Sequence, residues 1–297
     1  MDRGTAGEQW TMQQLADLRR QHFSAPALAG FLRASLHQSR RTRRTRRALA
    51  SQAEQWIAIG AAGWLTLSAF RGGDRRRRQM LSGLAWWAAC GAMLDWHLGM
   101  VETASGVPRP LGPADALTLF RAWLVPLAWQ QPTPVVCGLA FLSDAADGPI
   151  ARSGAPTRAG RDFDWIVDAC FVTAALRGSK RENLLATWAV GSEAAWLTTG
   201  LVRATLAYFL RSERPDRTLT RPARPFAAVR AAGVVCAAAG HRTTGSLLLG
   251  TGALASIAAS AARAVGQETA RHTEGEPNSR QAPTAATLVP LAQVAIP

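Results

Sequence analysis

Lysine is nearly missing from this chain: of 34 basic side chains in 297 residues, only Lys180 is not an arginine. Charge is scarce as a whole, at 18% of residues against 48% hydrophobic. Cysteine is scarce too. Cys90, Cys137, Cys170 and Cys236 each stand alone in an apolar stretch, with no C-x-x-C pair and no histidine at ligand spacing. They therefore read as buried thiols, not as disulfide partners or zinc ligands. The 26 Gly and 16 Pro show no triplet period, which excludes a collagen-like chain. The Leu, Ala, Val and Trp content excludes wholesale disorder. The first twenty residues contain acids and lack the apolar core and cleavage site of a signal peptide, so export is not expected. No P-loop, dinucleotide fingerprint or Ser-His-Asp constellation is present.

What is there is a basic, segmented chain. The formal net charge of +14 suits either nucleic acid or the anionic face of a membrane. The mean hydropathy of −0.01 averages clusters of charge with apolar stretches about as long as a bilayer-spanning helix. Residues 1–54 form a basic N-terminal segment, expected on the cytoplasmic side. It combines an amphipathic helix expected around Trp10–Leu32 with RRTRRTRR at 40–47, a run expected to be solvated and flexible. Residues 55–112 hold two hydrophobic segments, at 56–70 and 80–94. Residues 113–264 hold six more, at 116–130, 134–151, 163–178, 184–210, 226–240 and 244–262. From 265 to 297 the composition reads as a disordered tail. Loop arginines at 211–225 and 152–162, set against the uncharged QQPTP turn at 130–134, orient the last six segments with both basic loops cytoplasmic. The first two segments fit this alternation poorly, because RGGDRRRR at 71–78 would fall outside.

Carboxylates inside these apolar segments carry the functional information, since an Asp at a membrane-helix centre costs about 2.5–3.5 kcal/mol. Asp144 and Asp147 are spaced i, i+3, and Asp164 and Asp168 are spaced i, i+4. Each spacing places both carboxylates on one helical face. A short loop with Gly154, Pro156 and Gly160 makes the two helices antiparallel neighbours, so the four carboxylates can converge near the cytoplasmic surface. Converging like charges call for divalent cations, and two are plausible against four carboxylates. Gly148 lets a ligand approach the backbone, Ala151 leaves the same face uncrowded, Arg152 suits a phosphate oxygen, and Gly160 leaves room on the facing helix. Pro149 is expected to kink or unwind its helix locally.

The pattern Asp144-x-x-Asp147-Gly148-x-x-Ala151-Arg152, then Gly160-x-x-x-Asp164-x-x-x-Asp168, resembles the signature of the CDP-alcohol phosphatidyltransferases. Upstream, ADALTLFRAWLVP at 114–126 is similar to the family's first core helix: Leu117, Thr118, Arg121 and Pro126 agree, while Asp115 replaces the usual Asn. Seven residues separate Arg152 from Gly160 where the family usually has eight or more. The resemblance implies an all-α, polytopic transmembrane bundle of six core helices, here with one or two N-terminal hydrophobic segments added. It implies Asp144, Asp147 and Asp164 as ligands of Mg²⁺ or Mn²⁺, with Asp168 as a further ligand and the general base. Gly148, Ala151, Arg152 and Gly160, beside Asp144 and Asp147, would hold the CDP moiety.

The implied reaction moves the phosphatidyl group of CDP-diacylglycerol to an alcohol, releasing CMP for phospholipid biosynthesis. It would be performed by a homodimer in the inner, cytoplasmic membrane with the site facing the cytoplasm. Arg221, Arg224 and Arg230, around the start of the fifth core helix, suit a phosphorylated acceptor such as glycerol 3-phosphate or inositol phosphate, with Arg221 and Arg224 favoured. Arg203 is a weaker candidate for the same role. The partners expected are the two substrates and an anionic bilayer, and no nucleic acid. Two readings from other classes compete. One is a transporter relaying ions through intramembrane acids, although no inverted repeat is found. The other is a membrane-anchored nucleic-acid or scaffold protein acting through its arginine runs, or an inactive family relative serving as a membrane scaffold. Asp95 and His97 read as residues at a helix end, Trp86 and Trp87 as packing or interfacial residues, and Glu193 is a buried acid for which the sequence offers no partner.

Overall fold

In a computed structural model the chain is described over residues 6–69, 74–103, 105–153, 157–211, 218 and 220–274. Ten α-helices account for nearly all of it: α1 (Ala6–Arg20), α2 (Ala25–Thr45), α3 (Arg47–Ala69), α4 (Asp74–His97), α5 (Pro113–Gln130), α6 (Pro134–Ser153), α7 (Arg158–Arg181), α8 (Thr187–Thr205), α9 (Pro225–Ala238) and α10 (Arg242–Glu274). Among the described residues there is no strand, only one antiparallel bridge between Glu102 and Pro108. The all-α class expected from sequence holds. One described helix, α10 over Arg242–Gln267, is long and apolar enough by length and composition to cross a membrane.

Helices α3 to α10 overlap the eight apolar segments one to one, and local chemistry explains where they start. Proline stands in the first turn of α2, α5 and α9, where its missing N–H has no helical partner to lose. Asp115 accepts the Gly112 N–H at 2.7 Å at the start of α5. Thr157 caps α7 by accepting the Gly160 N–H at 3.0 Å. α6 runs on through Pro149 to Ser153 instead of unwinding there.

Two N-terminal expectations differ from the structure. The single amphipathic helix around Trp10–Leu32 is two helices, because His22 and Phe23 take left-handed φ of 50° and 53° and break the chain between α1 and α2. The arginine run at 40–47 is helical rather than flexible, in α2 and the start of α3; most of its arginines are exposed as expected, and Arg43 pairs with Glu54 and Asp95. At the other end, α10 continues to Glu274, past the expected start of the tail at 265, and residues 275–297 lie outside the described set.

The packing is built around α5, which contacts α4, α6 and α7, while α8, α9 and α10 form a second group. Three indoles tie α3, α4 and α5 together by donating to main-chain carbonyls: Trp86 to Ala122 at 2.8 Å, Trp87 to Ile57 at 2.7 Å and Trp123 to Gly60 at 2.9 Å. α9 and α10 approach until backbones touch. A Cβ on Gly233 would stand 2.5 Å from the Leu249 nitrogen, and one on Gly245 2.6 Å from the Ala237 nitrogen. The turn joining them needs Gly240 at φ 92°.

Candidate functional site

The site forms where α5, α6 and α7 meet. α6 brings Asp144 and Asp147, α7 brings Asp164 and Asp168, and the helical spacing turns each pair toward the same space. α5 supplies the group between them. The guanidinium of Arg121 is 2% exposed, and its two terminal nitrogens reach all four carboxylates. Nη1 lies 2.9 Å from Asp164 and 3.4 Å from Asp144 and also pairs with Asp168, while Nη2 lies 3.2 Å from Asp147. Ser143 Oγ stands 3.5 Å from Arg121 Nε, and Thr118 donates to Asp147 Oδ2 at 3.0 Å.

The carboxylates differ in access. The Asp147 side chain is nearly buried, whereas Asp144, Asp164 and Asp168 are 49%, 38% and 38% exposed and open one side of the cluster to a ligand. One oxygen from each of these three lies within 4.8 Å of the others. Hard carboxylate oxygens at that density suit Mg²⁺ or Mn²⁺, and the arginine already shows that the space holds a cation.

The other residues singled out from sequence are distributed as follows. Gly160 sits where α7 meets the start of α5: a Cβ there would stand 2.7 Å from Thr157 Oγ1 and 2.8 Å from Asp115 Oδ1. Gly148 is half-buried on α6 beside Asp147. Ala151 and Arg152 lie in the last turns of α6, with side chains outside the described residues, as are Gly154 and Pro156 of the loop. Arg221 lines a cleft of about 220 Å³ with Thr218, Pro222 and Arg263, and Arg224 is exposed at the start of α9. Arg211, Arg214 and Arg217 have side chains outside the described set.

Sequence reasoning used Arg121 only as a point of family likeness and overlooked Arg263. The rule that singled out the aspartates applies equally to Arg121, an ionisable group inside an apolar helix. Glu193 does have a partner: Arg230, 3.5 Å away, which also reaches Ser256 at 3.2 Å and lies over the Trp196 ring at 5.1 Å.

The N-terminal helices are fastened close to this site. Asp95 accepts Ser39 Oγ at 2.5 Å and pairs with Arg43, which also reaches Glu54 at 2.5 Å. The hydrogen bond to Asp95 raises the Arg43 guanidinium above its ordinary pKa. His97, at the end of α4, meets Phe163 edge to face at 5.2 Å, one residue before Asp164.

A family model described as CDP-alcohol phosphatidyltransferase matches residues 113–261. No curated protein and no solved structure matches the chain.

Proposed function

Because the chain belongs to the CDP-alcohol phosphatidyltransferase family, a family of membrane-associated transferases of phospholipid biosynthesis that typically depend on divalent metal, we propose that it transfers the phosphatidyl group of CDP-diacylglycerol to an alcohol. The carrying observation is the convergence of Asp144, Asp147, Asp164 and Asp168, from two helices, on one buried cation. Asp144, Asp147 and Asp164 would hold Mg²⁺ or Mn²⁺ with Asp168 as a further ligand, and the oxygen-only donor set fits such ions. The bound ions supply positive charge against the diphosphate oxygens.

The chain's own residues would do the rest. Gly148, Ala151, Arg152 and Gly160 hold the CDP moiety, with the small residues admitting it to the helix backbones. Asp168 accepts the proton of the acceptor hydroxyl as its oxygen bonds to the lipid-bearing phosphorus, and the bond from that phosphorus to CMP breaks. The cleft with Arg221 and Arg263, and Arg224 beside it in sequence, favours an acceptor that carries its own phosphate, such as glycerol 3-phosphate or another phosphorylated polyol. Residues 113–264 would be the catalytic core, with α3 and α4 added before it. The whole would be a multi-pass inner-membrane protein, working as a homodimer in an anionic bilayer, with the site near the basic cytoplasmic loops.

The test is CMP release from CDP-diacylglycerol by the purified chain with Mg²⁺ or Mn²⁺, across glycerol 3-phosphate, inositol phosphate, inositol and serine. Release that depends on one phosphorylated acceptor and vanishes in Asp168→Asn is expected. Equal release with every acceptor, or full activity in Asp168→Asn, would overturn the assignment.

A further inference from the structure

Arg121 is the one charged group described in the cluster for which the reaction above has no use. It comes from a different helix than the carboxylates, is 2% exposed and pairs with all four. A guanidinium offers five N–H donors, no acceptor and a permanent charge. It cannot ligate a metal, but it can neutralise carboxylates that would otherwise repel. Its Nη1 pairs with one oxygen each of Asp144, Asp164 and Asp168, the three residues that can bring carboxylate oxygens within 4.8 Å of one another. A Mg²⁺ or Mn²⁺ ion would need those lone pairs at about 2.0–2.2 Å, and it would meet a like charge in the same space.

We infer that Arg121 is an internal counter-ion of the carboxylate bowl that must withdraw when a divalent cation enters, so that guanidinium and cation exclude one another. The inference rests on the metal-site reading above and adds a cost to it: metal affinity is set partly by the work of displacing Arg121. Arg121 is thus a positioning residue. It keeps the four carboxylates gathered and the helices α5, α6 and α7 joined until the cation takes over. A purely supporting arginine behaves oppositely, since its loss would spoil the bowl and weaken metal binding.

The experiment measures Mn²⁺ binding to the full chain in detergent, by the resonance signal of free Mn²⁺, together with the melting temperature before and after Mn²⁺. Arg121→Gln is expected to bind Mn²⁺ about tenfold more tightly than the unaltered chain, to melt lower without metal, and to gain more on adding it. Arg121→Lys, which restores the charge, is expected to return the affinity toward that of the unaltered chain. Should Arg121→Gln lose its fold when stripped, its affinity is read on protein purified in Mn²⁺ by chelator competition, with the same gain expected. Mn²⁺ binding that is lost in Asp164→Asn but unmoved or weakened in Arg121→Gln would overturn the inference and leave the metal site standing. No Mn²⁺ binding to the unaltered chain, or binding unaffected in Asp164→Asn, would remove the metal site and the inference together.

Discussion

Separating Glu193 from Arg230 should cost this chain far more than deleting both. The Glu193 side chain is 2% exposed and that of Arg230 17%, and they face each other at 3.5 Å between α8 and α9. At that distance the attraction is about 5 kcal/mol for an effective dielectric of 20. Neither Glu193 Oε2 nor Arg230 Nε has a hydrogen-bond partner, so the desolvation of both charges is repaid by little besides that attraction. Glu193→Leu leaves a guanidinium supported only by Ser256 and the Trp196 ring, and Arg230→Met leaves a carboxylate with no cation. Each single change is expected to destabilise by about 3–5 kcal/mol, lowering the melting temperature by roughly 10 °C for a chain of this size. The double replacement Glu193→Leu/Arg230→Met should return to within about 1 kcal/mol of the starting stability, because the two buried charges leave together. Thermal and denaturant unfolding of the four proteins in detergent gives the cycle. Single losses below about 1 kcal/mol, or losses that simply add in the double variant, would refute the argument that the pair is buried and mutually dependent.

Other consequences can be checked with the same preparations. Gly245→Val should destabilise by about 1–3 kcal/mol, since the new side chain meets the backbone of α9 and not a movable group; an unchanged melting temperature would contradict the close approach. Thr118→Val, which removes the donor to Asp147 Oδ2, should cost about 1 kcal/mol and weaken Mn²⁺ binding. Asp95→Ala releases Ser39 and Arg43 together, so limited proteolysis should cut faster at the His22–Ser24 turn while CMP release by the core persists. Gly160→Ala should reduce CMP release and stability together by crowding Thr157 and Asp115, which mutant kinetics and melting would show.

The parts of this molecule legible in its sequence are those that depend on local pattern. Eight apolar segments became eight helices because length and composition alone decide such elements. The aspartate pairs met because i, i+3 and i, i+4 spacings fix a face, and a short connection forces two helices side by side. Pairings across the chain were not legible. Arg121 lies 23 to 47 residues from its four partners, and Arg230 joins Glu193 from another helix, so no window of sequence contains either contact. The break at His22 and Phe23 was missed for a different reason. A positive φ is tolerated by His22 but unexpected for the bulky Phe23, and no Gly marks the turn in the sequence.

The contact between Gly233 and Gly245 sets more than a close distance. With backbone against backbone, sliding α10 by one residue along α9 would drive a Cβ into main-chain atoms, so the pair has a single permitted register. That register decides which residue of α10 arrives level with the turn before α9. The two glycines therefore act as an index mark: by holding one helix at a fixed stop on the other, they bring Arg263 beside Arg221 from a site neither arginine touches.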